Sequence, residues 1–151
     1  YYKFASLYFG AGNYSVSIDY LNKVINLKGD LRTDLQCYAR LLHLIAHYEL
    51  GNFEILEHLL KSVTRFMAKM DNLGLAEAEI FSFLKRAFRL QPDALKPAFI
   101  KLLENLKDVE KDKLASRAFM YLDVISWLES KIEGKEVQDI IRDKYLRSIK
   151  E

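Results

Sequence analysis

The sequence is poor both in residues that interrupt regular structure and in residues that cross-link it. Of 151 residues only six are Gly and two are Pro, where average usage would supply about ten and about eight, so long helices are expected rather than a fold of many tight turns. The single cysteine, Cys37, cannot close an internal disulfide, which makes a reduced, cytoplasmic compartment the expectation. The longest apolar stretch, Leu41 to Tyr48, is broken by His43 and His47 and falls far short of the roughly 20 residues a bilayer span needs, so no membrane insertion is expected. Charge of one sign is lacking too: 23 basic residues face 21 acidic ones, which removes the electrostatic footprint of a nucleic-acid binder. The chain opens on Tyr1 rather than Met, inside a helical pattern (Tyr1, Phe4, Tyr8). It is therefore expected to be one domain, residues 1–151, taken from a longer protein.

What is present is helical periodicity. Apolar residues recur three and four apart almost throughout, and no segment keeps the alternation of a half-buried strand. Stripes run through Tyr14, Ile18, Leu21 and Ile25, through Leu31, Leu35, Tyr38, Leu42 and Ile45, and through Phe53, Leu56, Leu60, Val63, Met67 and Met70. Others follow at Ala76, Ile80, Phe83 and Ala87, at Phe99, Leu102 and Leu106, at Leu114, Ala118, Tyr121, Ile125, Leu128 and Ile132, and at Val137, Ile141 and Tyr145. Breaks carry helix punctuation at Gly12-Asn13, Lys28-Gly29-Asp30, Gly51-Asn52, Asp71-Asn72, Gln91-Pro92-Asp93, Asp108 to Asp112 and Gly134-Lys135. Pro92 is expected to stop one helix, and Pro97 is acceptable where it falls in the first turn of the next. Short connections make successive helices antiparallel, so the chain is expected to be all-α, with about eight helices in about four hairpins.

Two of the breaks repeat each other. Tyr8-Phe9-Gly10-Ala11-Gly12-Asn13-Tyr14 returns as His47-Tyr48-Glu49-Leu50-Gly51-Asn52-Phe53, and in both copies a Leu follows seven residues after the closing aromatic. Weaker echoes at Gln91-Pro92-Asp93 and Gly134-Lys135 give a period of roughly 40, the signature of a helical solenoid. With Tyr1, Phe4, Ala5, Tyr8, Ser17, Leu21 and Val24 at the matching spacings, the first hairpin resembles the tetratricopeptide repeat family. The match departs from the family where Leu44, Leu56 and Trp127 stand at small-residue positions, and a HEAT-like or other helical repeat is the alternative. The resemblance implies a right-handed α-α superhelix whose first helices line a concave face. By the same resemblance, that face would hold a peptide or helix of another polypeptide on Tyr2, Ser6, Phe9, Tyr38, Leu41, Ile45, Tyr48 and Glu49, unless neighbouring repeats cover it.

Other chemistry is sparse. His43 and His47 stand four apart on one helix, the spacing at which two imidazoles can share a metal, but HExxH is absent and neither Cys37 nor His58 is spaced as a third ligand. Packing is their expected role, with no metal and no cofactor. Lys85, Arg86 and Arg89, with Lys96 beyond, suit the negative end of a helix dipole; the resemblance offers them as a contact for an acidic peptide or carboxylate. No nucleophile, base and carboxylate are spaced as a catalytic set. The expected function is that of a non-catalytic scaffold for protein interaction, and the alternative is a spacer or regulatory module attached to an active domain elsewhere.

Overall fold

The computed structural model describes residues 1–27, 32–70, 73–87 and 89–150, which form helices and connecting turns without a strand. Among them are α1 (Tyr2–Gly10), α2 (Tyr14–Ile25), α3 (Thr33–Glu49), α4 (Phe53–Ala68), α5 (Leu75–Ala87) and α6 (Pro92–Glu110). A 3-10 turn (Ala115–Arg117) leads into the short α7 (Ala118–Tyr121), and α8 (Val124–Glu133) and α9 (Val137–Ser148) complete the described chain. The all-α expectation is met. The breaks expected at Lys28-Gly29-Asp30 and Asp71-Asn72, and Leu31 of the second stripe, lie outside the described residues.

The repeated motif folds into the same turn twice. At the end of α1 the amide of Asn13 donates to Tyr8 O (2.8 Å) and that of Gly12 to Phe9 O (3.0 Å); at the end of α3 Asn52 donates to His47 O (3.0 Å) and Gly51 to Tyr48 O (3.1 Å). This six-to-one and five-to-two pattern closes a helix through one left-handed residue, and Gly12 (φ +78°) and Gly51 (φ +74°) supply it. Gly134 (φ +69°) ends α8 the same way, with Lys135 N donating to Ser130 O at 3.0 Å. The side chain of Asn13 then opens α2 by accepting from Val16 N (3.3 Å).

Hairpins form from α1 with α2, α3 with α4, α5 with α6 and α8 with α9. In the first, small residues permit close approach: Ala5 and Ser17 are both fully buried, and Ser17 Oγ donates to Ala5 O at 2.8 Å. The sixth expected stripe does not form one helix. Leu122 (φ −135°, ψ 91°) is extended, and Asp123 restarts the chain by accepting the Ser126 amide at 3.1 Å, so Leu114 is left 74% exposed. Pro92 does not stop a helix but opens α6 at its first position, where the missing N–H costs nothing; Pro97 sits inside α6 rather than in its first turn and deletes one ladder bond.

The arrangement of the hairpins is set by α3. Every residue from Leu41 to His47 is buried, as are Cys37, Tyr38 and Ala39, because α1, α2, α4, α5 and α7 all pack against this one helix. Trp127 of α8 reaches the end of α3 as well: its ring meets Tyr48 (6.2 Å) and Phe99 of α6 (5.7 Å) edge-on, and its Nε1 donates to Glu49 Oε1 at 2.7 Å. The last helix returns to the first, for a Cβ at Gly10 would stand 3.1 Å from Ile141 Cδ1. A stack in which each hairpin touches only its neighbours lacks that contact.

A methyl group at Gly51 or Gly134 would meet no atom within 4 Å, so only the left-handed backbone resists substitution there. Gly51→Ala and Gly134→Ala are each expected to lose about 1–2 kcal/mol of unfolding free energy by denaturant titration. Asn at the same sites, which tolerates that conformation better, should lose less.

Candidate functional site

An apolar groove of about 610 Å³ opens on the described surface. One wall is α1, which buries Ala5 and Phe9 against the core but leaves Phe4, Leu7 and Tyr8 exposed. Met120 and Tyr121 at the end of α7 form the opposite wall, Leu35 and Leu42 of α3 the floor, and Val137 and Ile141 of α9 close one end. The Tyr2 hydroxyl donates to the carbonyl of Tyr121 and ties the two walls together. Burial, foremost, raises the pKa of that hydroxyl, which stays a donor. The rim is apolar, with Leu7 68% and Met120 81% exposed, and the charged residues lining the groove are Lys3 and Asp123.

The expected interaction face is divided by this geometry. Tyr2, Ser6 and Phe9 do line the groove. Leu41 and Ile45 have no exposed surface at all, since the side of α3 expected to face a ligand faces other helices instead. Tyr38 is buried and stacks on Tyr121 at 5.8 Å. Tyr48 and Glu49 belong to the junction with α8, where Lys131 Nζ sits 3.0 Å from Glu49 Oε1. A carboxylate at the end of a helix faces the negative pole of its dipole, and the lysine and indole donor offset that cost. The eight residues therefore do not form one exposed face. Leu35, Leu42, Val137, Ile141 and Tyr121 were readable in the sequence only as core stripes, and Met120 lay outside every stripe. The capping pattern Asp123 to Ser126 was the one local signal of the break that creates the wall.

A polar cleft lies around the start of α3 and α5, as two adjoining hollows of about 480 and 420 Å³ that share Asp34, Tyr38, Gly74 and Glu77. Its two carboxylates are already engaged. Asp34 pairs with Arg32 and accepts the Leu35 amide at 2.8 Å, and the Arg32 guanidinium, foremost, holds its carboxyl below the usual range. Glu77 folds back on the Gly74 amide, and burial raises its pKa, with the Asp34 charge adding to the rise. Cys37 lines the cleft with its Sγ 3.7 Å from Met67 Sδ; burial pushes the thiol up to about 12, so it is not a thiolate nucleophile at neutral pH.

Lys85 and Arg86 are exposed in the last turn of α5, Lys85 Nζ 4.9 Å over the Phe81 ring and Arg86 Nε donating to Ser82 O at 3.4 Å. Arg89 is exposed just beyond, and none of the three lines the groove or the cleft. His43 and His47 pack edge-on at 4.6 Å, both buried, and Asn52 Nδ2 lies 3.1 Å from His47 Nδ1. No third ligand joins the two imidazoles among the described residues.

No protein-family model matches the chain, and neither a curated protein nor a solved structure matches it.

A metal held by the histidine pair would couple its binding to folding. Zinc at a few equivalents, or its removal by a chelator, is expected to leave the melting temperature unchanged in a thermal scan. A stoichiometric upward shift would overturn the packing role.

Proposed function

We propose that this chain is a non-catalytic helical interaction module, and that its apolar groove receives an amphipathic helix from another polypeptide. The observation that carries the reading is the groove rim: Leu7 and Met120 stand exposed on opposite walls over a floor of Leu35 and Leu42. A soluble chain seldom leaves such a patch uncovered, and a trough between helices is the shape that accepts a helix by its aliphatic anchors. Methionine on the rim adapts to varied partners. The basic residues Lys85, Arg86 and Arg89 stand apart from the groove and have no part in this reading.

A tetratricopeptide-like relationship fits the first two hairpins: the Ala5–Ser17 approach and the paired glycine turns support it. The return of α9 onto α1 departs from an open right-handed superhelix. No helix among the described residues is long and apolar enough to cross a membrane, and a reduced, cytoplasmic setting fits the buried Cys37 thiol.

The test is selection of helical peptides from a random library against the whole chain, with affinities measured by calorimetry. Leu7→Asp with Met120→Lys is expected to weaken selected peptides at least about tenfold, the loss of one or two apolar anchors, while the melting temperature holds because both side chains are exposed. Lys85→Ala with Arg86→Ala should leave binding unchanged. Peptides bound equally well by the groove variant would point instead to the spacer role.

A further inference from the structure

In the middle of α3 two imidazoles are held where a charge has no counterpart. His43 and His47 are each more than nine-tenths buried, their rings meet edge-on at 4.6 Å, and His43 Nε2 has no hydrogen-bond partner. The carboxylates near α3 are committed elsewhere: Asp34 to Arg32, Glu77 to the Gly74 amide, and Glu49 to Trp127 and Lys131. The acidic and basic residues of α1, α2 and α4, namely Lys3, Asp19, Lys23, Glu54, Glu57, His58, Lys61 and Arg65, are all exposed, as are Lys85 and Arg86 of α5; Glu79 of α5 is half-buried and accepts from Asn105 Nδ2 at 3.3 Å, and α7 carries none. The charged groups that bear on His43 are His47 and Arg40, one turn to either side on the same helix, and both oppose a proton there.

We infer that the His43–His47 pair is an acid-sensitive latch built into the second hairpin, which holds α3 against its neighbours while both rings are neutral and releases it when either is protonated. Asn52, in the turn that joins α3 to α4, connects the pair to the end of the helix through His47 Nδ1. The latch does not depend on what occupies the groove, although α3 also supplies the groove floor.

The pH window follows from the direction of the shifts. Burial, foremost, lowers His43 to about 4, and burial lowers His47 as well, whereas an unfolded histidine titrates near its ordinary 6.5. The unfolded chain therefore binds more protons than the native one below about pH 6.5. Stability is fully present above that value and is lost as the pH falls towards about 4.

The experiment is denaturant unfolding of the whole chain at several pH values from 7.5 to 5, with an NMR titration of the histidine ring protons. His43 alone is expected to lower the folding constant about 30-fold across that range, and His47 to add in the same direction. His43→Leu should abolish its share of the pH dependence; should that variant not fold, His43→Gln, neutral and polar, should do the same. In the folded wild type the His43 ring should stay neutral well below pH 6. Titration of that ring near 6.5 in the native protein, or an undiminished pH slope in the variants, would overturn the inference.

Discussion

From Leu41 to His47 the third helix presents buried residues on all its sides, and the other features of the fold follow from having to enclose it. A helix apolar all round belongs in a core. Here five helices pack against it, so the chain wraps about α3 instead of laying hairpins side by side. Arg40, which immediately precedes this stretch, is only half-buried and lays its guanidinium 4.0 Å over the Phe66 ring, which keeps a cation at the edge of the core with an aromatic face to meet it.

Enclosure of α3 requires the late helices to come back to the early ones, and a few contacts do this. Trp127 links α3, α6 and α8 through two ring contacts and its hydrogen bond to Glu49. Lys144 of α9 binds Glu129 and donates to Ser126 Oγ at 2.9 Å, fixing α9 on α8. The absence of a side chain at Gly10 lets Ile141 settle against α1. The groove accompanies this closure: α1, α3, α7 and α9 all line it, and the Tyr2 hydroxyl joins α1 to α7 across it.

The local rules were legible in the sequence and the global ones were not. The glycine turns at 12, 51 and 134 were readable because a left-handed residue has few substitutes, and the stripes of α4, α5 and α6 because each is buried on one side. The stripe of α3 was incomplete for the opposite reason: a helix buried all round has no preferred face, and assigning Leu41 and Ile45 to an open concave surface borrowed a face from the family resemblance. The break at Leu122 went unread because Leu122 is itself buried and apolar and leaves the hydrophobic pattern intact across Asp123. In α9 the buried residues are Val137 and Ile140, while Tyr145 and Leu146, and Ile149 just beyond its end, are exposed, so its outer side is less polar than its many charges indicate. Of the candidate site, Tyr2, Ser6 and Phe9 could be found from the repeat, but the floor and far wall depend on tertiary packing that no local pattern encodes.

The central claim is that α3 is the last part of the molecule to give way, because five other helices pack on it. Native-state hydrogen exchange resolved by residue tests this directly. Amides from Leu41 to His47 should exchange only through global unfolding, with one shared opening free energy, while those of α9 and of the exposed side of α1 exchange through smaller local openings. Exchange of the α3 core as fast as that of α9, or separate opening energies for the first and second hairpins, would contradict the account and return the chain to an open stack of independent repeats.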